Sequence, residues 1–496
     1  MNTNINKNHL GKVFFAISLL IFVLMIFTPL NQLIIHKDEY FTLAVIKFSV
    51  MDLIKINVND VHPPLYYLIL KIITKILTAL NISYNTLFVL KITSIIPYGL
   101  ILLFSATKFK EEYGWLTAGI FALSLSCLSQ FFMHFIIARM YSFSLLFLLI
   151  SFYYYKNILK GSDKKSWILF TIFSVLAAYT HYFAAISAFV MYLMLLIFLL
   201  KSTERRNQIK CFAISVAASV ILYSPWILTL LNQINRVHKY FWIPDLTLSD
   251  FINCLGYFAT ANKSLGLEII AILSLIFFIA ILFKQYNSFE KNENYLILSG
   301  ICIFIGTLLI GSILSVVYKP ILIARYLIPS SAVLWFSISI LVGKIKNNRI
   351  LIISIVLIIL LCVSGINDMI NYNDYLLKTA TYNDKILNDV NDNADIIIIN
   401  SGMGVMEFGD YLNDVDIYTI EFGGIYGVDN KNVHEIYNFT ELNSTQIDNL
   451  INNNTDKSVY ILDAEGFEKF NQYNKTKIGV VGGNSQFYEL QSKSIV

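Results

Sequence analysis

The sequence predicts a polytopic all-α membrane protein with a small C-terminal extracytoplasmic α/β domain. Of its 496 residues, 56% are hydrophobic and only 14% are charged, whereas soluble domains average about 25% charged residues. The charge is also divided along the chain. Residues 370–496 carry 19 acidic and 8 basic side chains, a net −11, so the first 369 residues carry +15 to give the total of +4. We therefore expect a transmembrane domain over residues 1–369 and a soluble acidic domain over residues 370–496.

The first predicted span, residues 11–34, is followed by the acidic pair Asp38 and Glu39. Because about 24 apolar residues suffice to cross a hydrocarbon core of about 30 Å, we expect the pair at the membrane surface, where carboxylates stay hydrated. The same loop ends on Asp60, His62 and two prolines, which end any preceding helix. An ordinary acidic loop that leads into a Pro-started helix is the alternative interpretation.

Residues 63–80 are apolar but carry Lys71 and Lys75 in the middle. Two lysines near a bilayer centre cost roughly 2.5–3.5 kcal/mol each on an insertion scale. A helix that lies in the membrane interface with its lysines toward water avoids this cost. We therefore predict that residues 63–80 form a juxtamembrane helix that does not cross.

The positive-inside rule supports that choice, because almost every basic connection then falls on one side of the membrane, whereas counting 63–80 as a span inverts the rest. The first loop, with its juxtamembrane helices, and the C-terminus are expected outside. The rule thus favours about 11 transmembrane helices, at residues 11–34, 85–107, 113–130, 138–157, 166–183, 184–200, 209–231, 264–284, 295–318, 322–343 and 349–367.

Two arginines lie at the predicted outer ends of spans. Arg139 in ARMY and Arg325 in ARY are each followed closely by a tyrosine, Tyr141 and Tyr326. A single interfacial arginine often only reaches toward lipid headgroups. Two arginines on the side that also holds Asp38 instead favour a site for a lipid-linked phosphate, because the guanidinium fork matches phosphate oxygens.

Histidines on the same side raise the question of a metal. His181 lies between two predicted spans, and His36 and His62 flank the first loop. Together with Asp38 and Glu39 they could ligate a divalent metal. No tight spacing such as HExxH is present, so the metal stays an open alternative, and no cofactor is predicted.

After residue 368 the sequence becomes rich in Asn, Asp and Tyr. The short apolar runs at 394–400 and 458–464 predict buried strands of an α/β domain. We expect this domain to help place the acceptor and to perform no chemistry itself.

Five motifs in this order resemble one family: Asp38-Glu39, DVHPPLYY at 60–67, ARMYS at 138–142, THYF at 180–183 and ARYLIP at 324–329. It is the GT-C class of integral-membrane glycosyltransferases, in the glycosyltransferase family 39-like branch of the protein O-mannosyltransferases and the lipid A aminoarabinose transferase. The resemblance covers roughly residues 10–345. It implies a sugar donor carried on a polyprenyl phosphate.

The resemblance also implies roles for individual residues. Asp38 matches the proposed catalytic base, with Glu39 beside it, and Arg139 and Arg325, with Tyr141 and Tyr326, match residues near the donor phosphate. Asp60 and His62 match the Asp-x-His-Pro-Pro element, and His181 is a supporting residue.

This chain also departs from the family pattern. It has Ile136, Ile137 and Ala138 where many relatives have an acidic residue, and Lys91 where relatives often have an arginine.

We therefore predict a multi-pass cell-membrane enzyme that moves a hexose or pentose, with inversion, from a polyprenyl or dolichyl phosphate to an acceptor hydroxyl on the outer face. The acceptor, a lipid, a polysaccharide or a protein, stays open, and no nucleic-acid partner is expected. A transporter or flippase for a lipid-linked or polar substrate is the main alternative, and an anchor for a binding domain is a weaker one. Transporters place ionisable residues at the membrane midplane and often carry internal repeats.

Overall fold

The computed structural model describes residues 6–31, 34–161, 163–201, 208–239, 243–285, 290–399, 402–409, 411–412, 415–420, 428, 430–463, 470, 473–481 and 485–491. The chain divides into two compact units. The membrane unit comprises residues 1–31, 61–66 and 90–372, and the sheet unit comprises 32–60, 67–89 and 373–496. The division into domains 1–369 and 370–496 remains a prediction.

Helices make up the chain as far as residue 393. The α-helices are α1 (Lys7–Asn31), α2 (Lys37–Val45), α3 (Val50–Asn59), α4 (Leu65–Ala79), α5 (Thr86–Phe104), α6 (Lys110–Cys127), α7 (Ser129–Phe135), α8 (Tyr141–Leu159), α9 (Lys164–Thr180), α10 (Tyr182–Leu200), α11 (Gln208–Lys239), α12 (Leu248–Gly256), α13 (Leu265–Lys284), α14 (Lys291–Val317), α15 (Ile328–Gly343) and α16 (Asn348–Asn393). A π-helix at Ser105–Phe109 joins α5 to α6, and a 3₁₀ helix at Ala324–Leu327 precedes α15.

Among the described residues, nine helical stretches are long and apolar enough to cross a membrane. One of them, Thr86–Cys127, covers two predicted spans and is interrupted at Gly114, whose φ of 82° favours glycine. The predicted span at 166–183 corresponds to α9, which has 17 residues and falls just below that length. All eleven predicted spans therefore coincide with helices, and the protein is a multi-pass membrane protein.

Helix α15 lies at the centre of the membrane unit, and its Trp335 is fully buried. Close packing elsewhere depends on glycine. A Cβ on Gly11 of α1 would collide with the backbone of Trp115, and one on Gly119 would collide with Gly11. Small residues allow helix backbones to pack this closely. Such packing matters in a membrane, because the hydrophobic effect does not drive helices together in lipid.

Helix α4 agrees with the prediction for residues 63–80. Its 15 residues span about 22 Å, which is too short to cross a hydrocarbon core of about 30 Å. Ile72, Ile76 and Leu80 form an exposed apolar stripe, as an interfacial helix requires. The expectation that both lysines face water holds for Lys75, which is exposed. It is wrong for Lys71, whose Nζ donates to the carbonyl of Ile46 at 2.6 Å.

The sheet unit contains one six-stranded sheet in the order β3-β2-β1-β4-β6-β5. Strands β1 to β4 run parallel, and β6 is antiparallel to both β4 and β5. The predicted strands at 394–400 and 458–464 are the central pair β1 and β4. All four isoleucines of β1 are buried, as is typical of a parallel strand covered on both faces. The strands and helices are β1 (Ile396–Ile399), α17 (Gly402–Phe408), β2 (Asp416–Ile420), α18 (Asn430–His434), β3 (Thr440–Leu442), α19 (Ser444–Asn453), β4 (Val459–Asp463), β5 (Asn474–Val481) and β6 (Ser485–Gln491).

Candidate active site

The acidic pair of the first loop opens helix α2. The amide of Asp38 donates to Nδ1 of His36 at 3.2 Å, and the amide of His36 donates to Oε2 of Glu39 at 2.7 Å. This reciprocal arrangement is a capping box, which satisfies amides that a helix start otherwise leaves without partners. Glu39 is fully buried, whereas Asp38 is half-buried. The two carboxylates therefore differ: Glu39 closes the helix end, and Asp38 remains accessible.

Helix α2 is held along its length inside the sheet unit. The ring of Tyr40 lies 5.7 Å from that of Phe408 and 6.0 Å from that of Tyr411. Further along, Nζ of Lys47 lies 4.7 Å from the ring centre of Tyr437. At the end of the helix, the Lys71 ammonium donates to the carbonyls of Ile46 and Lys47, where a cation is favourable. The C-terminal sequence thus fixes the helix that carries Asp38.

Helix α3 is tied to the same C-terminal sequence. Asp52 accepts hydrogen bonds from Ser49 at 2.8 Å, from Lys55 at 3.1 Å and from Asn432 at 3.1 Å. Burial alone would raise the pKa of Asp52, but these hydrogen bonds and the charge of Lys55 outweigh it and lower the pKa. The helix ends at Asp60, whose amide donates to the carbonyl of Ile56 at 2.8 Å.

In the membrane unit, Arg139 is almost completely buried, and its Nη2 lies 3.5 Å from Nε2 of His62. Because an arginine only donates, Nε2 of His62 is the acceptor of this contact. The Asp-x-His-Pro-Pro element and the ARMY element therefore meet, although 77 residues separate them in sequence.

A row of rings connects the ARMY, THYF and ARY elements. Tyr141 lies 5.6 Å from His181, and His181 lies 4.9 Å from Tyr326. Nδ1 of His181 accepts from the amide of Phe183, so this histidine also caps α10. Because Tyr326 follows Arg325 directly and Tyr141 follows Arg139 by two residues, this row of rings connects the two segments that carry the arginines.

A cavity of about 350 Å³ opens beside Arg325, and its lining also includes Lys263, Asp250 and Tyr257. The hydroxyl of Thr247 donates to Asp250 at 2.6 Å and is the main cause that holds the pKa of Asp250 below its usual value. Asp250 is therefore ionised, and the two cations of the lining exceed it by one positive charge.

The segment that supplies Tyr257 and Lys263 is anchored from several helices. The carbonyl of Phe258 accepts from Nε1 of Trp335 at 2.7 Å. The amide of Ala261 donates to Ser129 at 3.2 Å, and Nδ2 of Asn262 donates to Asp368 at 3.0 Å. Fixed partners of this kind hold one wall of the cavity in place.

Two solved structures share this architecture. A crystal structure of ArnT from Cupriavidus metallidurans in the apo state matches with a TM-score of 0.56 at 9% identity. A crystal structure of the same protein bound to undecaprenyl phosphate matches with a TM-score of 0.58 at 8% identity. Each match covers 96% of this chain and 97% of the solved one. The chain has a GT-C glycosyltransferase fold. No family model and no curated protein matches the sequence.

The GT-C fold confirms the resemblance that the five motifs predicted. The residues of these motifs lie in both units. The membrane unit contains His62, Arg139, Tyr141, His181, Arg325 and Tyr326. A polar contact joins His62 to Arg139, and ring contacts join His181 to Tyr141 and Tyr326. Asp38, Glu39 and Asp60 lie in the sheet unit.

Sequence reasoning missed Lys263, Asp250 and Tyr257. The motif Thr247-Leu-Ser-Asp250 has the spacing of a capping box and could have predicted the start of α12, whose residues line the cavity.

The departures from the family pattern also have a structural counterpart. Lys91 is buried, and its Nζ lies 3.4 Å from the carbonyl of Ile136, in the turn that lacks the acidic residue of many relatives. Lys91, at the position where the resemblance implies an arginine, thus contacts a backbone oxygen of this turn. In the part of the chain that the structure describes, no three His, Cys, Asp or Glu side chains come together as metal ligands.

Proposed function

We propose that this protein transfers a sugar from an undecaprenyl-phosphate type of carrier to an acceptor hydroxyl on the outer face of the cell membrane. The observation that carries the proposal is the cationic cavity beside Arg325 in a chain with the GT-C fold. The solved relative with this fold was crystallised with undecaprenyl phosphate. The basic connections between the spans support an outward-facing site.

In the proposed reaction, Asp38 accepts the proton of the acceptor hydroxyl as its oxygen attacks the anomeric carbon. The bond between that carbon and the carrier phosphate breaks on the opposite side, which inverts the configuration. A positioned base typically contributes about 10²–10⁴-fold to such a step. Asp38 is the better candidate than Glu39, because the carboxylate of Glu39 is engaged in the cap of α2.

Arg139 and Arg325 stabilise the phosphate that leaves with the lipid. Preorganised cations stabilise developing negative charge most strongly where water is excluded. Tyr141 and Tyr326 flank His181 and fix the walls between the two arginines.

The transporter alternative requires ionisable groups near the midplane of the spans. Among the described residues, the buried acids of the membrane unit are Glu268 and Glu293, which lie near helix ends, and Asp368, which lies within α16 just beyond the predicted span 349–367. Glu268 is the fourth residue of α13 and accepts from Asn253, and Glu293 is the third residue of α14 and pairs with Lys344. This distribution supports transfer at a membrane surface.

The test is the release of undecaprenyl phosphate from undecaprenyl-phosphate-linked hexoses and pentoses by the purified full chain. Asp38→Asn should slow transfer about 10²–10⁴-fold while undecaprenyl phosphate still binds. Asp52→Asn, a change of the same size in the same loop, is the matched control and should leave the rate within about threefold, because Asp52 only holds α3. Equal rates for Asp38→Asn and wild type would remove Asp38 from the mechanism.

A further inference from the structure

A second cavity, of about 470 Å³, lies entirely within the sheet unit. One side is formed by Ile34, Ile35 and helix α2, which contributes Tyr40, Leu43 and Lys47. The other side includes Asn383 and Asp384 of α16 and Tyr411, which follows α17. The cavity is therefore built jointly from the first loop and the C-terminal sequence.

Two polar side chains of the lining face this cavity and make no hydrogen bond to the residues that the structure describes. Asn383 is 6% exposed and Tyr40 is 5% exposed. Neither is among the described side chains with a fully buried polar atom that lacks a partner, so both polar groups are open to the cavity. An amide and a hydroxyl in this position can pair with a bound ligand.

The charge of the lining distinguishes this cavity from the one beside Arg325. Its single cation, Lys47, is balanced by its single carboxylate, Asp384. Burial raises the pKa of Tyr40, and the nearby carboxylates of Glu407, Asp384 and Glu39 raise it further, so its hydroxyl remains a donor. Acidic groups around a neutral lining disfavour a phosphate.

The mixture of groups matches a carbohydrate. A sugar presents hydroxyls that both donate and accept, and the amide of Asn383, the carboxylate of Asp384 and the Tyr40 hydroxyl supply both kinds of partner. The apolar walls from Ile34 and Leu43 suit the C–H faces of a pyranose or furanose ring. A lipid chain, in contrast, would leave the polar groups unpaired.

The cavity also adjoins the proposed base. Asp38 does not line it, but Ile35 precedes Asp38 by three residues and Tyr40 follows it by two on the same helix. A sugar held here would thus lie one unit along the acceptor from the hydroxyl that reacts.

We propose that this cavity is an acceptor subsite that binds a neutral sugar unit next to the reacting one, so that the acceptor is a carbohydrate without charge at that unit. The inference depends on the proposed function in one respect, because a bound sugar is an acceptor only if the protein transfers a sugar to it. Sugar binding itself can be measured without any transfer.

The experiment is saturation-transfer NMR of the full chain in nanodiscs. The probes are methyl glycosides of neutral hexoses and pentoses and the 6-phosphates of the same hexoses. We expect wild type to bind at least one neutral glycoside and to bind the phosphates about tenfold more weakly, the size of effect that one unpaired charge interaction gives. Asn383→Ala and Asp384→Asn should each weaken glycoside binding by about fivefold or more, because each removes hydrogen bonds to the sugar.

Asp374→Asn is the matched control. It makes the same change on the same helix, but Asp374 pairs with Lys378 and does not line the cavity, so glycoside binding should be unchanged. Leu43→Trp, which fills the cavity from its other wall, should abolish binding as well. Wild-type protection of the amides of strands β1 and β4 from exchange verifies that the sheet unit of each variant is folded.

Each outcome decides the proposal. Absence of glycoside binding in wild type, preference for the phosphates, or unchanged binding in Asn383→Ala, Asp384→Asn and Leu43→Trp would overturn it. If wild type cleaves a lipid-linked sugar but binds no glycoside, the subsite fails and the proposed function stands. If glycosides bind as expected but no lipid-linked sugar is cleaved, the proposed function fails and a carbohydrate site remains.

Discussion

The two cavities use the same kinds of side chain to opposite effect. In the membrane unit, Arg325 and Lys263 outnumber Asp250, and the cavity carries a positive charge. In the sheet unit, the charges of Lys47 and Asp384 cancel, and the other polar groups are two amides and hydroxyls. A glycosyl transfer from a lipid phosphate needs both kinds of surface, one for an anionic leaving group and one for a neutral hydroxyl compound. Under the proposed function, charge balance, more than volume, distinguishes the donor cavity beside Arg325 from the acceptor cavity of the sheet unit.

Removal of the C-terminal sequence should have the largest effect. It destroys the cavity of the sheet unit and leaves the cavity beside Arg325. A chain that ends after Tyr372 loses Asn383, Asp384 and Tyr411 and also the contacts of Tyr40 with Phe408. Because these contacts hold helix α2, we expect transfer and donor hydrolysis to disappear together. Binding of undecaprenyl phosphate, measured by native mass spectrometry, should persist within about threefold of wild type, because the membrane unit keeps its own core.

A chain that ends after Gly365 provides the comparison. It also loses Asp368, which accepts from Ser129 and Asn262 beside the donor cavity. Buried acceptors of this kind are worth about 1–3 kcal/mol when their partners are left unpaired. The shorter chain should therefore bind undecaprenyl phosphate more weakly than the chain that ends after Tyr372. Full transfer activity in either chain would mean that the sheet serves stability or partner binding only.

Loss of Arg325, one of the two cations of the donor cavity, should have the next largest effect. Arg325→Ala removes a preorganised charge from the proposed phosphate site, and removal of one such donor costs about 10²–10³ in kcat. Arg325→Lys should recover part of the rate, since it restores the charge but not the planar fork. Glycoside binding by the sheet unit should be unaffected by either change.

Lys319→Ala is the control for Arg325→Ala, because Lys319 is a cation near Arg325 in sequence that does not line the cavity. Rates are measured as release of undecaprenyl phosphate at several salt concentrations. If Lys319→Ala and Arg325→Ala slow the reaction equally, the effect belongs to surface charge in general and not to this cavity.

The membrane unit was largely predictable because its signal is local. A span requires an unbroken apolar run, and each of the eleven runs became a helix, including the short α9. The exclusion of residues 63–80 also followed from Lys71 and Lys75, and α4 is indeed too short to cross. The ordered motifs contain Tyr141, His181 and Tyr326, whose rings are in contact in the structure, because the resemblance supplied the long-range information that hydropathy lacks. The roles of Arg139, His181 and Arg325 stay a prediction.

The assembly of the sheet unit was not predictable from local pattern. The packing of Tyr40 on Phe408 and the hydrogen bond from Asn432 to Asp52 join residues more than 360 positions apart. Neither leaves a periodic signal. The cap role of Glu39 was in principle readable, since it follows His36 by three residues, but histidine is an uncommon first residue of a capping box. Lys263 belongs to no sequence motif. It is recognised as a second cation of the cavity only in the structure, where it lines the same cavity as Arg325.

The smallest predicted effect is a local loosening of α3 in the sheet unit. Ser49 caps this helix by accepting from the amide of Asp52, and it also donates to the Asp52 carboxylate. Loss of such a cap costs about 1 kcal/mol, so Ser49→Ala should speed amide exchange in residues 50–59 about fivefold at pH 7. Exchange in the membrane unit and the affinity for undecaprenyl phosphate should not change.

The pH dependence of that effect has a definite sign. The pKa of Asp52 is lower in the folded protein than in the unfolded chain, where it is about 3.9. Its hydrogen bonds therefore stabilise α3 fully at neutral pH, and this stability is lost as the pH falls from about 4 through the lower folded pKa. The difference in exchange between wild type and Ser49→Ala, compared at equal pH, should shrink over that interval. A difference that stays constant down to pH 3 would show that the serine acts on the backbone amide alone and that the carboxylate adds nothing to this part of the sheet unit.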